Sequence, residues 1–350
     1  ESATGLGVSV KYVQILGMII SLILAGSCVA IAGGISFVGL MVPHIARFLV
    51  GTDYRKNLPV SLLSGSLLMV LADVSARMLN APYDTPVGAL VSVLGVPFFL
   101  ALTYQSGKGG GNNESKCLKN ILPLPMVAAA FIVFIVSINA GYSHLPLADI
   151  FKGLLGNGES STRLIIQQIR LPRILVSLLC GAGLGLSGCI LQSVTGNPLA
   201  DPGILGINNG AAVAVMVFLV YFPDFHTNST LFMPIFAFIG ALVVALLLYL
   251  FAFRSGRLNP SYFLLGGIAA AAGLYAIMLI MATGLENSNF QMVSRWMVKD
   301  VFHTVAHHIE FKADVGNRVV IGRERDLFSK AAGNCGLQHF CVVPAGVEGA

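Results

Sequence analysis

Nine apolar stretches separated by short polar segments limit the fold of this chain more than any other feature. Eight of them have about twenty residues, which is the length an α-helix needs to cross the roughly 30 Å hydrocarbon core of a bilayer. They lie at 12–32, 58–79, 86–104, 121–141, 174–195, 203–222, 231–253 and 262–282, and a shorter one lies at about 35–50. With 55% hydrophobic and 11% charged residues, the chain has too little polar surface for a soluble globule. The sequence therefore predicts an all-α polytopic membrane protein with about nine transmembrane helices.

The basic residues between these stretches predict the orientation of the chain. The formal net charge is +5, and the positions of the charges say more than their sum. With residue 1 in the cytosol, most loop cations fall on the cytosolic side, as the positive-inside rule expects. These are Lys11, Arg47, Arg55, Lys56, Lys108, Lys116, Lys119, Arg254 and Arg257.

A polar, glycine-rich stretch at 106–120 divides the chain into two membrane segments, 1–105 and 121–297. Its composition is typical of a flexible linker, which this orientation places in the cytosol. Beyond residue 297 the membrane pattern stops, and 298–350 has no apolar run of spanning length. We leave this tail unassigned, and its abrupt change of character fits a frameshift or junction artefact better than a small external domain.

Charged side chains on the outer side of the predicted helices are few. Arg170 and Arg173 are three residues apart and so share one helix face, with Pro172 between them in the first turn. Arg77 ends an earlier span on the same side, and Asp73 lies one turn before it, at the spacing for an ion pair. From the residues alone, the arginines either anchor helices at the interface or receive an acidic partner.

The segment from Asn197 to Gly203 joins two spans on the cytosolic side, and its two prolines and initial Asn favour a tight turn. Asn208 and Asn209 follow in the next span, where an amide either bridges helices or touches a transport pathway; bridging is the favoured interpretation. His44, next to Pro43 in an apolar run, is interpreted as a helix-bridging donor.

The chain carries no motif for catalysis or for a resident metal. No Gly-x-x-x-x-Gly-Lys-Ser/Thr loop occurs, so the chain is not expected to bind ATP through a P-loop. Six cysteines show no metal-ligand spacing, and the histidines near Glu310 in the tail have no third ligand that can be placed. We predict that the chain is not an enzyme and binds no metal or cofactor.

Several motifs resemble those of iron-siderophore and vitamin B12 ABC-transporter permeases, the FecCD/BtuC-like family. Phe37-Val-Gly-Leu-x-x-Pro-His-x-x-Arg47 and Ala72-Asp-x-x-Ala-Arg77 resemble the second half of such a permease. Arg170-Leu-Pro-Arg173 and Asn197-Pro-Leu-Ala-Asp-Pro-Gly203 resemble its first half. The order implies the C-terminal half of one unit, residues 1–105, followed by the N-terminal half of the next, residues 121–297, as at the junction of a fused double permease.

The resemblance implies a BtuC-like permease bundle in an importer of Fe(III)-siderophores, haem or cobalamin, in a bacterial cytoplasmic membrane. Its partners would be two ABC ATPase subunits that bind ATP and Mg, a second permease unit, the bilayer, and a siderophore-binding lipoprotein or periplasmic protein, with no nucleic acid. Arg77, Arg170 and Arg173 would dock the binding protein. The ATPase would contact a coupling loop with Ser2, Ala3, Gly5, Leu6 and Gly7. The motif, pathway and gate residues would be Pro43, His44, Arg47, Asn197, Pro198, Asp201, Pro202, Gly203, Asn208 and Asn209.

Three alternatives stay open from the sequence. The two halves are complementary in content, so they could pack as one circularly permuted unit whose segments contact each other directly. The chain could be an incomplete permease without transport activity. An ion-coupled secondary transporter would need intramembrane acidic groups or histidines, and the spans offer only Asp73 and His44.

Overall fold

Nine α-helices account for most of the chain that the structure, a computed structural model, describes. The described residues are 9–79, 85–106, 123–139, 165–222, 229–254, 257–258 and 260–283. The helices are α1 (Val10–Ala32), α2 (Val38–Val50), α3 (Tyr54–Leu79), α4 (Val87–Ser106), α5 (Pro123–Asn139), α6 (Leu171–Thr195), α7 (Ile207–Tyr221), α8 (Ser229–Ala252) and α9 (Pro260–Thr283). A π-helical turn, Ile165–Arg170, precedes α6, and an antiparallel pair of two-residue strands, Phe253–Arg254 and Arg257–Leu258, joins α8 to α9. Each helix corresponds to one predicted apolar stretch, which confirms the all-α polytopic fold.

Five of these helices, α1, α3, α6, α8 and α9, are long and apolar enough to cross a membrane. The other four contain shorter apolar stretches of 10–17 residues, which are Val38–Val50, Val87–Leu100, Pro125–Asn139 and Ile207–Tyr221. The shortest, α2, has 13 residues, or about 20 Å of helix, which is less than a hydrocarbon core. The predicted multi-pass membrane protein is therefore confirmed, although not every apolar stretch makes a full-length crossing helix.

The two membrane segments pack against each other. We call α1–α4 the first segment and α5–α9 the second segment. Helix α6 of the second segment contacts α1, α2 and α3 of the first, while α8 packs on α1 and α5 packs on α3. Helix α6 thus lies at the centre of the contacts between the segments.

Reciprocal polar contacts join α1 and α6 as antiparallel neighbours. The Ser21 hydroxyl donates to the Ser187 carbonyl at 2.8 Å, and the Ser187 hydroxyl donates to the Ser21 carbonyl at 2.7 Å. Cys28 lies seven residues after Ser21, and Cys180 lies seven residues before Ser187. The Cys28 thiol is 3.6 Å from the Cys180 carbonyl, and the Cys180 thiol is 3.9 Å from the Cys28 carbonyl. Small side chains at this spacing let two helices approach closely and exchange hydrogen bonds in an apolar medium.

Glycines let the backbone of α6 approach the other two helices of the first segment. A Cβ added at Gly181 would overlap the carbonyl oxygen of Gly65 in α3, and a Cβ at Gly65 would overlap the carbonyl of Gly181. Gly188 makes the same kind of contact with Gly39 at the start of α2. The glycines of α6 therefore form a packing surface.

An apolar core lies within the second segment and at its contact with α1. Phe218 of α7 and Phe263 of α9 are its largest fully buried side chains, and the ring centroid of Phe218 lies 4.7 Å from that of Phe236 in α8. Helix α9 covers this core on one side only and leaves large apolar side chains exposed, among them Leu265 and Ile280. Such faces suit contact with lipid or with further membrane helices.

Candidate functional site

The three arginines predicted at one end of the bundle lie together in the structure. Arg77 is in the last turn of α3, Arg170 ends the π-helical turn and Arg173 is in the first turn of α6. We call these three residues and Asp73 the arginine cluster. It joins residues that are about 100 positions apart in the sequence and belong to different segments.

Asp73 holds two of the arginines with one carboxylate. Its Oδ1 accepts a hydrogen bond from Nε of Arg173 at 2.7 Å. Its Oδ2 lies 2.8 Å from an Nη of Arg77, a charge contact rather than an aligned hydrogen bond. Asp73 is fully buried, Arg173 is 3% exposed and the Arg77 side chain is 9% exposed. The predicted Asp73–Arg77 pair is confirmed, whereas the Arg173 contact was not predicted, because no local spacing joins α3 to α6.

Neutral acceptors at the end of α5 complete the surroundings of the cluster. Arg77 donates to the Ser137 hydroxyl at 2.7 Å and to the Ser137 carbonyl at 3.3 Å. Arg170 donates to the carbonyl of Ile138 at 2.6 Å and contacts that of Asn139 at 3.4 Å. All three guanidinium groups are thus held by groups of this chain. Ser137 was missed in the sequence because it is one serine in an apolar helix with no motif around it.

Near the other end of α6, Gln192 links that helix to the Pro-His motif of α2. Pro43 has no N–H, so the carbonyl of Gly39 lacks its usual partner four residues on. The Gln192 amide donates to this carbonyl at 3.2 Å, and its oxygen accepts from Arg47 at 2.7 Å. Arg47 also lies 3.4 Å from Nδ1 of His44. Pro43 therefore leaves the Gly39 carbonyl without a partner in α2, and Arg47 of the same motif holds the Gln192 side chain that donates to this carbonyl. Gln192 was not predicted, because it belongs to no motif in the sequence.

The segment after α6 is a compact turn, as its prolines and initial Asn predict. Oδ1 of Asn197 accepts from the backbone N–H of Leu199 at 2.9 Å, and the Asn197 carbonyl accepts from Ala200 at 3.2 Å. Pro198 is exposed, whereas Pro202 is buried beside Gly39. Gly203 packs against Ser36, so this turn of the second segment contacts the start of α2 in the first.

The carboxyl group of Asp201 lies next to the start of α2, across this contact. It is 1% exposed, and the backbone N–H groups of Phe37, Gly203 and Ile204 donate to its carboxyl group. Phe37 precedes α2 in a left-handed conformation with φ of 70°, which is uncommon for a non-glycine residue. Burial raises the pKa of Asp201 to about 6 although these three N–H donors lower it. Oδ2 of Asp201 has no hydrogen-bond partner among the described residues.

Asn208 and Asn209 at the start of α7 both bridge elements, the alternative favoured from the sequence. Asn208 contacts the Ile35 carbonyl at 3.5 Å and the Ser36 hydroxyl at 3.3 Å in the first segment. Asn209 donates to the carbonyl of Ala271 in α9 at 2.8 Å. The motif residues thus meet where α2, α6 and α7 come together.

Some predicted features lie outside the described residues. They are the coupling residues Ser2, Ala3, Gly5, Leu6 and Gly7, most of the linker, and the chain from residue 284 onward. Within the described ranges, no group of three or more His, Cys, Asp or Glu side chains is placed to hold a metal ion.

One protein family and several of its members are similar to this chain. The profile of the FecCD transport family matches residues 1–105 and 129–309. The iron(3+)-hydroxamate import system permease protein FhuB of Bacillus subtilis (strain 168) is 52% identical over 109 residues, or 31% of this chain and 28% of FhuB. FhuG of the same organism, also an iron(3+)-hydroxamate import system permease protein, is 36% identical over 183 residues, or 50% of this chain and 54% of FhuG.

A relative in a second organism agrees with these two. The Fe(3+) dicitrate transport system permease protein FecC of Escherichia coli (strain K12) is 45% identical over 107 residues, which are 31% of this chain and 32% of FecC. The chain spans about half the length, or less, of these curated relatives. Because the family profile covers most of the sequence and the fold is a polytopic helical bundle, the chain belongs to the FecCD transport family.

Proposed function

We propose that this chain is a membrane-spanning permease component of an ATP-driven bacterial importer for Fe(III)-siderophores or Fe(III)-citrate, with haem and cobalamin as alternative cargo. The observation that carries the proposal is the meeting of Arg77, Arg170 and Arg173, from two different segments, in one cluster at one end of the bundle. The family match and the iron-chelate permeases among the relatives support it.

In this proposal the chain supplies docking, part of a pathway and coupling, without covalent chemistry or a cofactor of its own. An extracytoplasmic binding protein docks its carboxylates on the arginine cluster, because the guanidinium fork matches a carboxylate. ATPase subunits hydrolyse MgATP and contact the coupling loop that contains Ser2, Ala3, Gly5, Leu6 and Gly7. The site at Pro43, Arg47 and Asp201 joins the two segments away from that cluster, and a second permease unit completes the pathway.

Uptake of radioactive iron tests this function. The chain would be expressed with its ATPase and binding protein in a bacterium that lacks its own siderophore permeases, and supplied with ferric hydroxamate or ferric citrate. We expect uptake that stops when the ATPase is inactivated while the proton gradient is intact. Uptake that survives loss of ATPase activity but stops when the proton gradient is collapsed would instead identify a secondary transporter.

A second candidate is that the two segments act as one permuted permease unit. The packing of α6 on α1, α2 and α3 favours this arrangement, because one helix of the second segment contacts three helices of the first. A cysteine pair at Ser21 and Ser187, whose hydroxyl oxygens lie 2.9 Å apart, tests it in a background without other cysteines.

After oxidation and cleavage at a protease site inserted in the linker, we expect the two fragments to stay joined until a reductant is added. Either cysteine alone is the control. Fragments that separate without reductant would show that each segment pairs elsewhere.

A further inference from the structure

The contact between Asp73 and two arginines has the composition of an occupied carboxylate site. One buried carboxylate meets Arg77 on its own helix and Arg173 on a helix of the other segment, at 2.8 and 2.7 Å. Arginine is the side chain best suited to bind a carboxylate, because its planar donors match the two oxygens. The ligand in this arrangement is a side chain of the same molecule.

The arginines do not depend on Asp73 alone for their positions. Ser137 accepts from Arg77 through its hydroxyl and its carbonyl, and Ile138 accepts from Arg170. These neutral acceptors all belong to α5, which packs on α3. Arg77 therefore keeps neutral partners if the carboxylate is removed, and with 9% of its side chain exposed it offers access from the surface.

We propose that Asp73 is an internal ligand that fills a carboxylate-binding site formed by Arg77 and Arg173, and that a carboxylate from outside the chain can take its place. This rests on the proposed docking role of the arginines and adds a resting state to it. Before docking, Asp73 neutralises and orders the two arginines. During docking, a glutamate or aspartate of the binding protein shares or replaces this contact, so Asp73 is a positioning residue that also competes with the partner.

Replacement of Asp73 by alanine, followed by addition of formate, tests the site without any partner protein or transport. The thermal midpoint of the purified protein in detergent is measured in sodium formate and in sodium chloride of equal ionic strength. We expect Asp73→Ala to lower the midpoint. Formate, but not chloride, should then raise it by roughly 2–5 °C at about ten times its dissociation constant.

The wild type should show no such formate response, because Asp73 fills the site. Asp53→Ala is the matched control, since the Asp53 carboxylate is exposed and accepts a local N–H, that of Arg55 at 3.0 Å. A folded Asp73→Ala protein that responds equally to formate and chloride would overturn the proposal. A failure of iron uptake alongside formate rescue would instead reject the transport function and leave the site standing.

If Asp73→Ala does not fold, Asp73→Asn keeps the shape of the side chain and removes its charge. Modification by phenylglyoxal, followed by mass spectrometry, then reports how strongly the arginines are held. We expect Arg77 and Arg173 to react several-fold faster in Asp73→Asn than in the wild type, while Arg55 reacts at an unchanged rate. Equal rates at Arg77 and Arg173 in the two proteins would refute a competing role for Asp73.

Discussion

At the scale of single residues, two buried polar contacts of this protein join residues that are far apart in the sequence. Pro43 frees the carbonyl of Gly39, and Gln192 of another helix satisfies it. The Asp201 carboxyl group accepts from the backbone N–H of Phe37, just before α2, and from those of Gly203 and Ile204 next to it in the sequence. A motif such as Pro-His therefore identifies only one partner of a contact, here the Gly39 carbonyl. The other partner, Gln192, is identified only by the structure.

Asp201 should give the protein a pH dependence that its asparagine variant lacks. Its pKa is raised to about 6, above the ordinary value of 3.8, so the folded state holds this proton more tightly than the unfolded state does. Its contribution to stability is therefore full below about pH 4 and is lost as the pH rises to about 6, by up to about 3 kcal/mol. Unfolding of wild type and Asp201→Asn at pH 4.5 and 6.5 measures it; equal pH dependence in the two would contradict the assignment.

Gln192 and Pro43 should be energetically coupled. Gln192→Leu leaves the Gly39 carbonyl without its partner, which we expect to lower the free energy of unfolding by about 1–3 kcal/mol. Pro43→Ala restores an N–H that can bond to this carbonyl within α2, so the same Gln192 change should cost less in that background. A double-mutant cycle of unfolding free energies measures the coupling, and strict additivity would argue against it.

At the scale of helices, the apolar pattern predicts their number and approximate positions, but not which of them cross fully or which is central. Helix α2 lies in the stretch at about 35–50, which the sequence already shows as the shortest of the nine, and it has 13 residues. The central position of α6 was not predicted. Its glycines indicate close packing, while the residues opposite them, Gly39 and Gly65, lie in unrelated sequence contexts. The periodicity of a sequence shows that one face of a helix carries small or apolar side chains. Which helix packs on that face is determined only by the folded structure.

Glycine substitutions on two helices should have opposite effects. In α6, Gly181→Ala places a methyl group against the carbonyl of Gly65, so we expect lower stability and loosened contact between α3 and α6. In α9, Gly273→Ala meets no atom within 4 Å and should be neutral or stabilising by up to about 1 kcal/mol, since alanine favours helix. Thermal unfolding of both variants in one detergent gives the comparison. Equal losses at the two positions would show that close approach of α6 and α3 is not required.

At the scale of the whole molecule, the sequence predicts the class of protein and the family, whereas the relation between the segments had to come from the structure. The motif order indicates two half-units and leaves open whether they meet. The contacts of Asp73 with Arg173, and of Ser21 with Ser187, join them at two levels of α6. Residues so far apart leave no joint signal in a single sequence.

Separation of the chain at the linker should therefore leave two pieces that need each other. We expect fragments 1–112 and 113–350, expressed together in one membrane, to purify as a complex through a tag on one of them. Each piece alone should be present at lower level, because the small-residue faces of α1, α3 and α6 would then lack their partners. Gly181→Ala in the second piece is a control that should weaken recovery. Full recovery of each piece alone would contradict the mutual dependence.

The central position of α6 also determines the order in which the protein can be completed during synthesis. Gly65 is made well before Gly181, its partner across the helix contact. At about 5–20 residues per second, the intervening chain takes roughly 6–23 s to translate. Throughout that interval α1, α2 and α3 stand in the membrane with the surface that α6 will cover open to lipid and to other nascent helices. Insertion factors and quality-control proteases would therefore encounter an incomplete helix bundle during this time. The bundle can be completed only after α6 has been synthesised.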